Sequence, residues 1–230
     1  MTSWMTTRIE PGQSLREQIE DSLSAAIIAG QIMPQSLLTV PVLAQQYEVS
    51  ATPVREAMLE LARRGFVVPV RNKGFRVREV GRDELRHLVQ ARSLLECPTM
   101  IEVASVFGAS HRPRFDALVE TIRESARKRD FATYVRTDRE FHLGLLGLLG
   151  NPVLLDVVGM LRDRTRTVGI ASKITPEQLS ASIEEHAELL DLLEDGNGPA
   201  AAALMERHVG HVLGWWSGTE EKLGSPAQSS

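Results

Sequence analysis

Apolar and polar positions in the first third of the chain follow two different periods. Apolar residues recur every three to four positions as far as residue 65, which predicts helices near 14–29, 40–47 and 50–65. Two strand-like runs follow, F-V-V-P-V and F-R-V-R-E-V, with the turn sequence N-K-G at 72–74 between them. Two short helices joined by a brief turn and followed by a hairpin predict a winged helix-turn-helix.

From residue 82 onwards only the helical period is present. The breaks at Gly108, at the Gly-Asn-Pro of 150–152 and at the Gly-Asn-Gly-Pro of 196–199 separate helical segments, which predict an all-helical bundle. We therefore expect a mainly α protein, with an N-terminal winged helix-turn-helix and a C-terminal bundle of about six helices. The predicted bundle helices are 83–107, 113–129, 131–149, 152–171, 176–195 and 199–216.

These elements divide the chain into four parts. We expect a flexible arm over 1–12 and a winged helix-turn-helix domain over 13–80. An all-helical domain is expected over 81–218, followed by a frayed tail over 219–230 that ends S-P-A-Q-S-S.

The helix predicted over 50–65 has the features of a DNA-recognition helix. Ser50 is expected at its N-cap, Thr52 and Arg55 lie off the apolar stripe, and Gly65 follows its end. An arginine can reach a guanine edge or a phosphate, and a helix N-terminus favours a phosphate oxygen. An ordinary amphipathic helix has the same apolar stripe, so the neighbouring elements decide between the two interpretations.

The net charge of −4 is unevenly distributed along the chain. Residues 1–78 hold nine Lys and Arg against seven Asp and Glu, whereas residues 79–230 hold 17 against 23. A cluster of basic residues without an acid suits the phosphates of nucleic acid, although a solvated surface run has the same composition. That cluster consists of Arg63, Arg64, Arg71, Lys73, Arg76 and Arg78.

Three absences bear on where the protein acts. No run approaches 18 consecutive apolar residues, so we expect no transmembrane span and no membrane partner. The first residues lack the basic start and apolar run of a signal peptide, and the single cysteine, Cys97, cannot form an internal disulfide. We expect a cytoplasmic protein.

Ionisable residues lie on the inner stripes of three predicted bundle helices. Asp138 and His142 are four positions apart on one helix, so their side chains meet. His186 lies eleven residues before Asn197, at the centre of the next turn, and His208 lies eleven residues after it. Both therefore lie about 16 Å from that turn, at the same height on antiparallel neighbours.

Three histidines and one aspartate brought together in this way suit Zn, Ni, Mn or Fe, with positions left for water or a ligand. His211, one turn further along, is a reserve ligand. The alternative is a set of separate core histidines bonded to backbone or to carboxylates.

Residues 14–80 resemble the DNA-binding domain of GntR-type bacterial transcriptional regulators. The stretches that carry the resemblance are A-I-I-A-G-Q-I-M-P, the run from L-A-Q-Q-Y-E-V-S to T-P-V-R-E-A-M-L-E-L-A-R-R-G-F-V, and the glycine-tipped wing. The resemblance implies DNA contacts from the recognition helix and from the wing. The expected contact residues are Ser50, Thr52, Arg55, Arg71, Lys73 and Gly74.

The chain departs from this family pattern at three places. Ala51 replaces a usual basic residue, Pro41 lies where helix two usually carries an arginine, and the usual Pro-Gly after the first helix is Pro34-Gln35. The first two changes remove expected phosphate or base contacts, so they imply weaker binding or a different operator.

Residues 83–216 resemble the FCD ligand-binding domain of the FadR-type branch of GntR regulators. The motifs are A-R-S-L-L-E, D-R-E-F-H and E-E-H-A-E-L-L-D-L-L-E-D-G with a later histidine. The resemblance implies a divalent metal bound by one aspartate and three histidines, and a small carboxylate effector that completes its coordination. The implied metal ligands are Asp138, His142, His186 and His208.

Arg92 matches an arginine that in this family is placed to hold the effector carboxylate. A buried guanidinium suits a bidentate carboxylate. The alternative is a salt bridge from Arg92 to Glu96 or to another internal acid.

Together these features predict a sequence-specific transcriptional repressor rather than an enzyme. We expect a homodimer on a two-fold DNA operator, with affinity controlled by a small carboxylate at the metal site. A metal-dependent hydrolase or lyase with an appended DNA-binding domain is an alternative, which substrate turnover would reveal. A metal-ion sensor is another, which reversible metal-dependent DNA binding without an organic ligand would reveal.

Overall fold

The computed structural model describes residues 14–166 and 175–214. The predicted arm over 1–12, the tail over 219–230 and the last predicted turn of the helix ending at 171 lie outside the described residues. The elements of the N-terminal part are α1 (Leu15–Ile28), β1 (Leu37–Leu38), α2 (Val40–Tyr47), α3 (Ala51–Arg63), β2 (Val67–Val70) and β3 (Gly74–Val77).

The first helix begins at a capping box. Ser14 Oγ accepts a hydrogen bond from Glu17 N at 3.3 Å, and Glu17 Oε2 accepts one from Ser14 N at 3.1 Å. Thr39 and Ser50 occupy the N-cap positions of α2 and α3, but neither side chain makes a capping bond. The predicted positions are therefore correct, while the hydroxyl of Ser50 is not used by its own helix.

The wing is part of a three-stranded antiparallel sheet in the order β1-β3-β2. The strand β1 follows the predicted connector and was not predicted, because two residues carry no recognisable alternation. Its Leu38 pairs with Phe75 of β3. At the wing turn, Asn72 has φ 58° and Gly74 has φ 128°, conformations that favour these residue types.

Six helices make up the described C-terminal part, as predicted, and the fold is mainly α. Their observed ends lie within one or two residues of the predicted ones wherever those ends are described. The buried apolar side chains of both parts form one continuous cluster. The helices are α4 (Arg82–Val106), α5 (Arg112–Lys128), α6 (Phe131–Gly147), α7 (Pro152–Arg166), α8 (Pro176–Glu194) and α9 (Gly198–Gly214).

Within the described ranges, no helix combines the length and the apolar character that crossing a membrane requires.

Candidate functional site

Three helices of the bundle bring the four predicted metal-ligating residues to one place. Asp138 and His142 come from α6, His186 from α8 and His208 from α9. One ligand atom of each residue lies within 4.8 Å of the ligand atoms of the others. The centroids of the His186 and His208 rings are 4.8 Å apart, as expected for residues at the same height on neighbouring helices.

His186 is held in one orientation by its own helix. Its Nδ1 lies 2.9 Å from the carbonyl oxygen of Ser182, which can only accept, so Nδ1 carries the proton. Burial lowers the pKa of His186 to about 4, so the ring is neutral near pH 7 and Nε2 carries a lone pair. This Nε2 lies 3.3 Å from Asp138 Oδ1, so that one acceptor faces another.

His208 is oriented by Glu185. Its Nδ1 lies 2.9 Å from Glu185 Oε2. The other ring nitrogen, Nε2, takes no part in this hydrogen bond and can face a metal ion. Burial lowers the pKa of His208 to about 3. The reserve ligand His211 also bonds Glu185, with Nε2 2.9 Å from Oε1. His211 thus lies outside the four-residue cluster and supports the carboxylate that orients His208.

Glu185 remains ionised in this position. Burial by itself would raise the pKa of Glu185, but hydrogen bonds from His208, His211 and Arg207 outweigh burial and lower the pKa below its usual value. An ionised Glu185 accepts from His208 Nδ1, so the neutral ring presents Nε2 as an acceptor.

His142 has two buried ring nitrogens that make no hydrogen bond to any described residue. Burial and the nearby charge of Arg162 lower its pKa well below the usual value, so its ring is neutral. Buried nitrogens without hydrogen bonds are costly, and a metal ion would engage one of them. The four donors therefore fit a divalent transition metal such as Zn, Ni, Mn or Fe.

Arg92 forms a salt bridge to Glu96, which was the alternative to a contact with an effector carboxylate. Its Nε donates to Glu96 Oε1 at 2.7 Å, and its Nη1 donates to Thr165 Oγ1 at 3.4 Å. Glu96 also accepts from Arg162, whose Nη2 donates to Asp138 Oδ2 at 3.1 Å. A buried chain of charges therefore links Arg92 to the candidate metal site.

Arg162 is the main site residue that the sequence analysis missed. It is only 2% exposed and contacts Asp138 directly. Val158, Arg162 and Thr165 share one face of α7 at spacings of four and three, and all three are buried. An arginine on an apolar stripe of α7 was the sequence signal that could have identified it.

The predicted DNA-contact residues lie at the surface of α3 and of the wing. Ser50, Thr52 and Arg55 are exposed around the N-terminal part of α3. Arg71 and Lys73 are exposed at the wing turn, next to the half-buried Gly74. An added Cβ at Gly74 would overlap the carbonyl oxygen of Leu38, so this glycine fixes the shape of the turn.

The predicted basic cluster is divided in the structure. Arg63 pairs with Glu60, and Arg64 pairs with Asp163 of α7 at 2.8 Å. Arg78 pairs with a carboxylate at the start of α4. Among the described residues Arg71, Lys73 and Arg76 form no ion pair, so half of the predicted cluster remains for phosphate. The other half is engaged within the protein.

Comparisons with known proteins agree with this architecture. The model of the FCD domain matches residues 87–211, and the model of bacterial regulatory proteins of the gntR family matches residues 15–77. The Nta operon transcriptional regulator of Aminobacter aminovorans is 30% identical over 173 residues, which are 73% of this chain and 78% of that protein. The HTH-type transcriptional repressor RspR of Escherichia coli K12 is 23% identical over 209 residues, 90% of each chain.

The solved structure of E. coli McbR/YncC has the same fold. It superimposes with a TM-score of 0.73 at 24% identity and covers 86% of this chain and 95% of that one. The chain therefore belongs to the GntR family of bacterial regulatory proteins, in the group that carries an FCD domain, and is a transcriptional regulator of that type.

Proposed function

We propose that this regulator senses a small carboxylate at a divalent metal ion and that ligand binding changes its affinity for operator DNA. The observation that carries the proposal is the contact between His186 Nε2 and Asp138 Oδ1 at 3.3 Å. A neutral ring that donates through Nδ1 repels this carboxylate oxygen through Nε2. A cation between the two atoms turns the repulsion into coordination. The proposed ligands are Asp138, His142, His186 and His208.

The charge of the surroundings supports an anionic effector. The side chains of Arg92, Glu96, Arg162 and Asp138 carry two positive and two negative charges, and the three histidines are neutral. Because the charges of these four side chains cancel, a divalent ion adds positive charge to a buried site, which is costly without a counter-charge. Glu185, which bonds His208, also bonds Arg207 and so offsets only part of this added charge. A carboxylate on the metal compensates it. Since Arg92 is paired with Glu96, the effector would share or displace Glu96 to reach Arg92.

We propose that the protein binds DNA as a repressor, through α3 and the wing. The exposed hydroxyl of Ser50 and the exposed side chains of Thr52 and Arg55 are available for the major groove, and Arg71 and Lys73 for phosphates. The assignment as a repressor is supported by the name of RspR, a transcriptional repressor.

We propose a homodimer, because one small winged domain offers few contacts and a two-fold operator needs two of them. In the described part of the bundle, the exposed large apolar side chains all lie on two adjacent helices, α4 and α7. This surface suits a second copy of the chain. It comprises Leu94, Ile101, Val106, Val153, Val157 and Met160.

The enzyme alternative has less support. A hydrolase or lyase needs a general base beside the metal. Glu96 and Glu185 are buried carboxylates near the site, and each accepts hydrogen bonds from two or more side chains, so neither is available as a general base.

A metal-ion sensor remains the second candidate. It is supported by the same four donors and would respond to the metal without any carboxylate.

Metal analysis of the purified protein tests the proposal. We expect about one transition metal per chain in the wild type, and none in His186→Ala. His87→Ala, a change at an exposed histidine of α4, is the matched control and should retain the metal. A wild type that binds no metal even after addition of Zn or Ni would contradict the site.

A screen of small carboxylates then tests the effector. We expect one class to stabilise the metal-loaded protein and to change its affinity for an operator selected from random DNA. A change in operator affinity on adding metal, with no further change on adding any carboxylate, would favour the metal-ion sensor. Turnover of a carboxylate would favour the enzyme.

A further inference from the structure

The last described turns of α7 carry three consecutive charged residues whose side chains point to different parts of the molecule. Arg162 points into the bundle, where it contacts Glu96 and the proposed metal ligand Asp138. Asp163 and Arg164 instead contact residues at the base of the winged domain. One helical turn therefore contacts both functional parts of the regulator.

Asp163 is 1% exposed and lies between two cations. Its Oδ2 accepts from Arg64 Nε at 2.8 Å, and its Oδ1 accepts from Arg139 Nε at 3.1 Å. Arg64 is the C-cap residue of α3, the helix that we propose to read DNA. A buried carboxylate paired with this residue ties the end of the recognition helix to α7.

Arg164 makes the second contact. It pairs with Glu84 at the start of α4, and Glu84 also accepts from Arg78 Nη2, just after the wing, at 2.7 Å. The side chain of Arg164 passes over Gly65, where an added Cβ would lie 2.7 Å from Arg164 Cγ. The end of α7 therefore contacts the chain on both sides of β2 and β3.

We propose that this turn, Arg162 to Arg164, is the link through which the metal site sets the position of the winged domain. The inference rests on the proposed function. Asp138 is shared between the metal site and Arg162, and Glu96 is shared between Arg92 and Arg162. A metal that engages Asp138, or a carboxylate that displaces Glu96, changes the partners of Arg162.

The backbone transmits such a change. Arg162 and Asp163 are adjacent in a regular helix, so a shift of one moves the other. Breaking a buried ion pair is strongly unfavourable, so Arg64 follows Asp163 instead of separating from it. The two sites thereby share one element whose displacement would move both, as coupling between binding sites requires.

Asp163→Asn tests the link, because it keeps the shape of the side chain and removes its charge. The matched control is Asp191→Asn, which removes the charge of an exposed carboxylate on α8 that pairs with Arg112 of α5. We would measure the Zn²⁺ affinity of each protein by chelator competition, and its affinity for a selected operator with and without Zn²⁺. The ligand added in these measurements is Zn²⁺ alone.

In the wild type and in the control we expect Zn²⁺ to change operator affinity by about 5–150-fold, a typical coupling. In Asp163→Asn this ratio should fall towards one, while the Zn²⁺ affinity of the DNA-free protein stays within about twofold of wild type. Arg64→Gln removes the same ion pair from the winged side and should reproduce the loss. A full wild-type ratio in both variants would overturn the proposal.

A second measurement separates this link from the proposed function. If Zn²⁺ alone leaves the wild-type operator affinity unchanged, metal loading by itself does not switch DNA binding. The metal site is then perturbed by Asp138→Asn instead. Operator affinity is then measured for Asp138→Asn, Asp163→Asn and the double variant. Non-additive effects support the link, and additive effects overturn it.

Discussion

At the scale of the single residue, Arg162 is a buried cation that pairs with two buried carboxylates. It is 2% exposed, and it neutralises two carboxylates, Glu96 and Asp138, on different helices. Both carboxylates are almost completely buried, with Glu96 1% and Asp138 2% exposed. Arg162 thus links α4 and α6 through ion pairs, and one of these pairs includes the candidate metal ligand Asp138.

Replacement of Arg162 should therefore be costly. We expect Arg162→Gln to lower the free energy of unfolding by about 3–5 kcal/mol, because it removes the guanidinium that two buried carboxylates, Asp138 and Glu96, share. Zn²⁺ should recover part of the loss by placing a cation next to Asp138. Urea denaturation with and without Zn²⁺ measures both effects. The control Arg86→Gln breaks an exposed pair and should cost less than about 1 kcal/mol, and an equally small loss for Arg162→Gln would refute the expectation.

The histidines give a prediction about pH. Burial lowers the pKa of His186 to about 4 and that of His208 to about 3, below the ordinary value of 6.5. Protons therefore compete with the metal only at acid pH, and Zn²⁺ affinity should stay constant from about pH 8 to about pH 5. A fall in affinity centred near pH 6.5 in chelator competition would contradict this.

The same pKa shifts make the free energy of unfolding of the metal-free protein depend on pH. The direction of this dependence follows from which state, folded or unfolded, binds more protons. Below pH 6.5 these histidines take up protons in the unfolded chain but not in the folded one. The free energy of unfolding should therefore be highest above pH 6.5 and should fall as the pH drops from 6.5 towards 4. Denaturation curves across this range measure it.

At the scale of the element, the wing depends on a close approach of two strands. Gly74 begins β3 with φ 128°, and an added Cβ would overlap the carbonyl oxygen of Leu38 in β1. The strand pairing that positions the basic wing tip therefore requires a glycine there.

We expect Gly74→Ala to lower the free energy of unfolding by about 1–3 kcal/mol and to weaken operator binding, because it strains the wing turn and displaces Arg71 and Lys73. Gly108→Ala is the control, since an added Cβ there meets no atom within 4 Å. Urea denaturation measures the stability of the two variants, and operator titration measures their affinity for DNA. Equal behaviour of the two variants would show that the wing tolerates a side chain.

The elements themselves follow from local rules. The capping box at Ser14 and the apolar period of each bundle helix are encoded within a few neighbouring residues, so their positions could be predicted. The strand β1 could not be predicted, because its two residues acquire their structure only by pairing with β3. The side chains of Thr39 and Ser50 likewise show that a cap position does not ensure a capping bond.

At the scale of the whole molecule, the apolar surface of α4 and α7 determines the expected assembly. Leu94 is 70% exposed and Val153 is 69% exposed. Changing both to Asp should leave a monomer folded, because neither side chain is part of its core. In a homodimer built on this surface, the same changes place charges in an apolar interface.

If the proposed homodimer uses this surface, we expect the double variant Leu94→Asp with Val153→Asp to sediment as a monomer and to bind a two-fold operator more weakly than the wild type. Met33→Asp changes a side chain that is 64% exposed in the winged part, and it should leave the dimer intact. A double variant that remains dimeric would place the interface elsewhere.

The sequence by itself determined the order and type of the elements other than β1, and the common height of His186 and His208. It could do so because the helical rise is constant and the turn between α8 and α9 is short, so register follows from counting residues. Only the tertiary structure decided which charges pair. Arg64 is separated by 99 residues from Asp163, and Arg92 could equally have faced a ligand or Glu96. Which charges pair depends on how whole helices pack against one another. That packing results from many side-chain contacts between residues far apart in the sequence, so a local sequence pattern does not predict it.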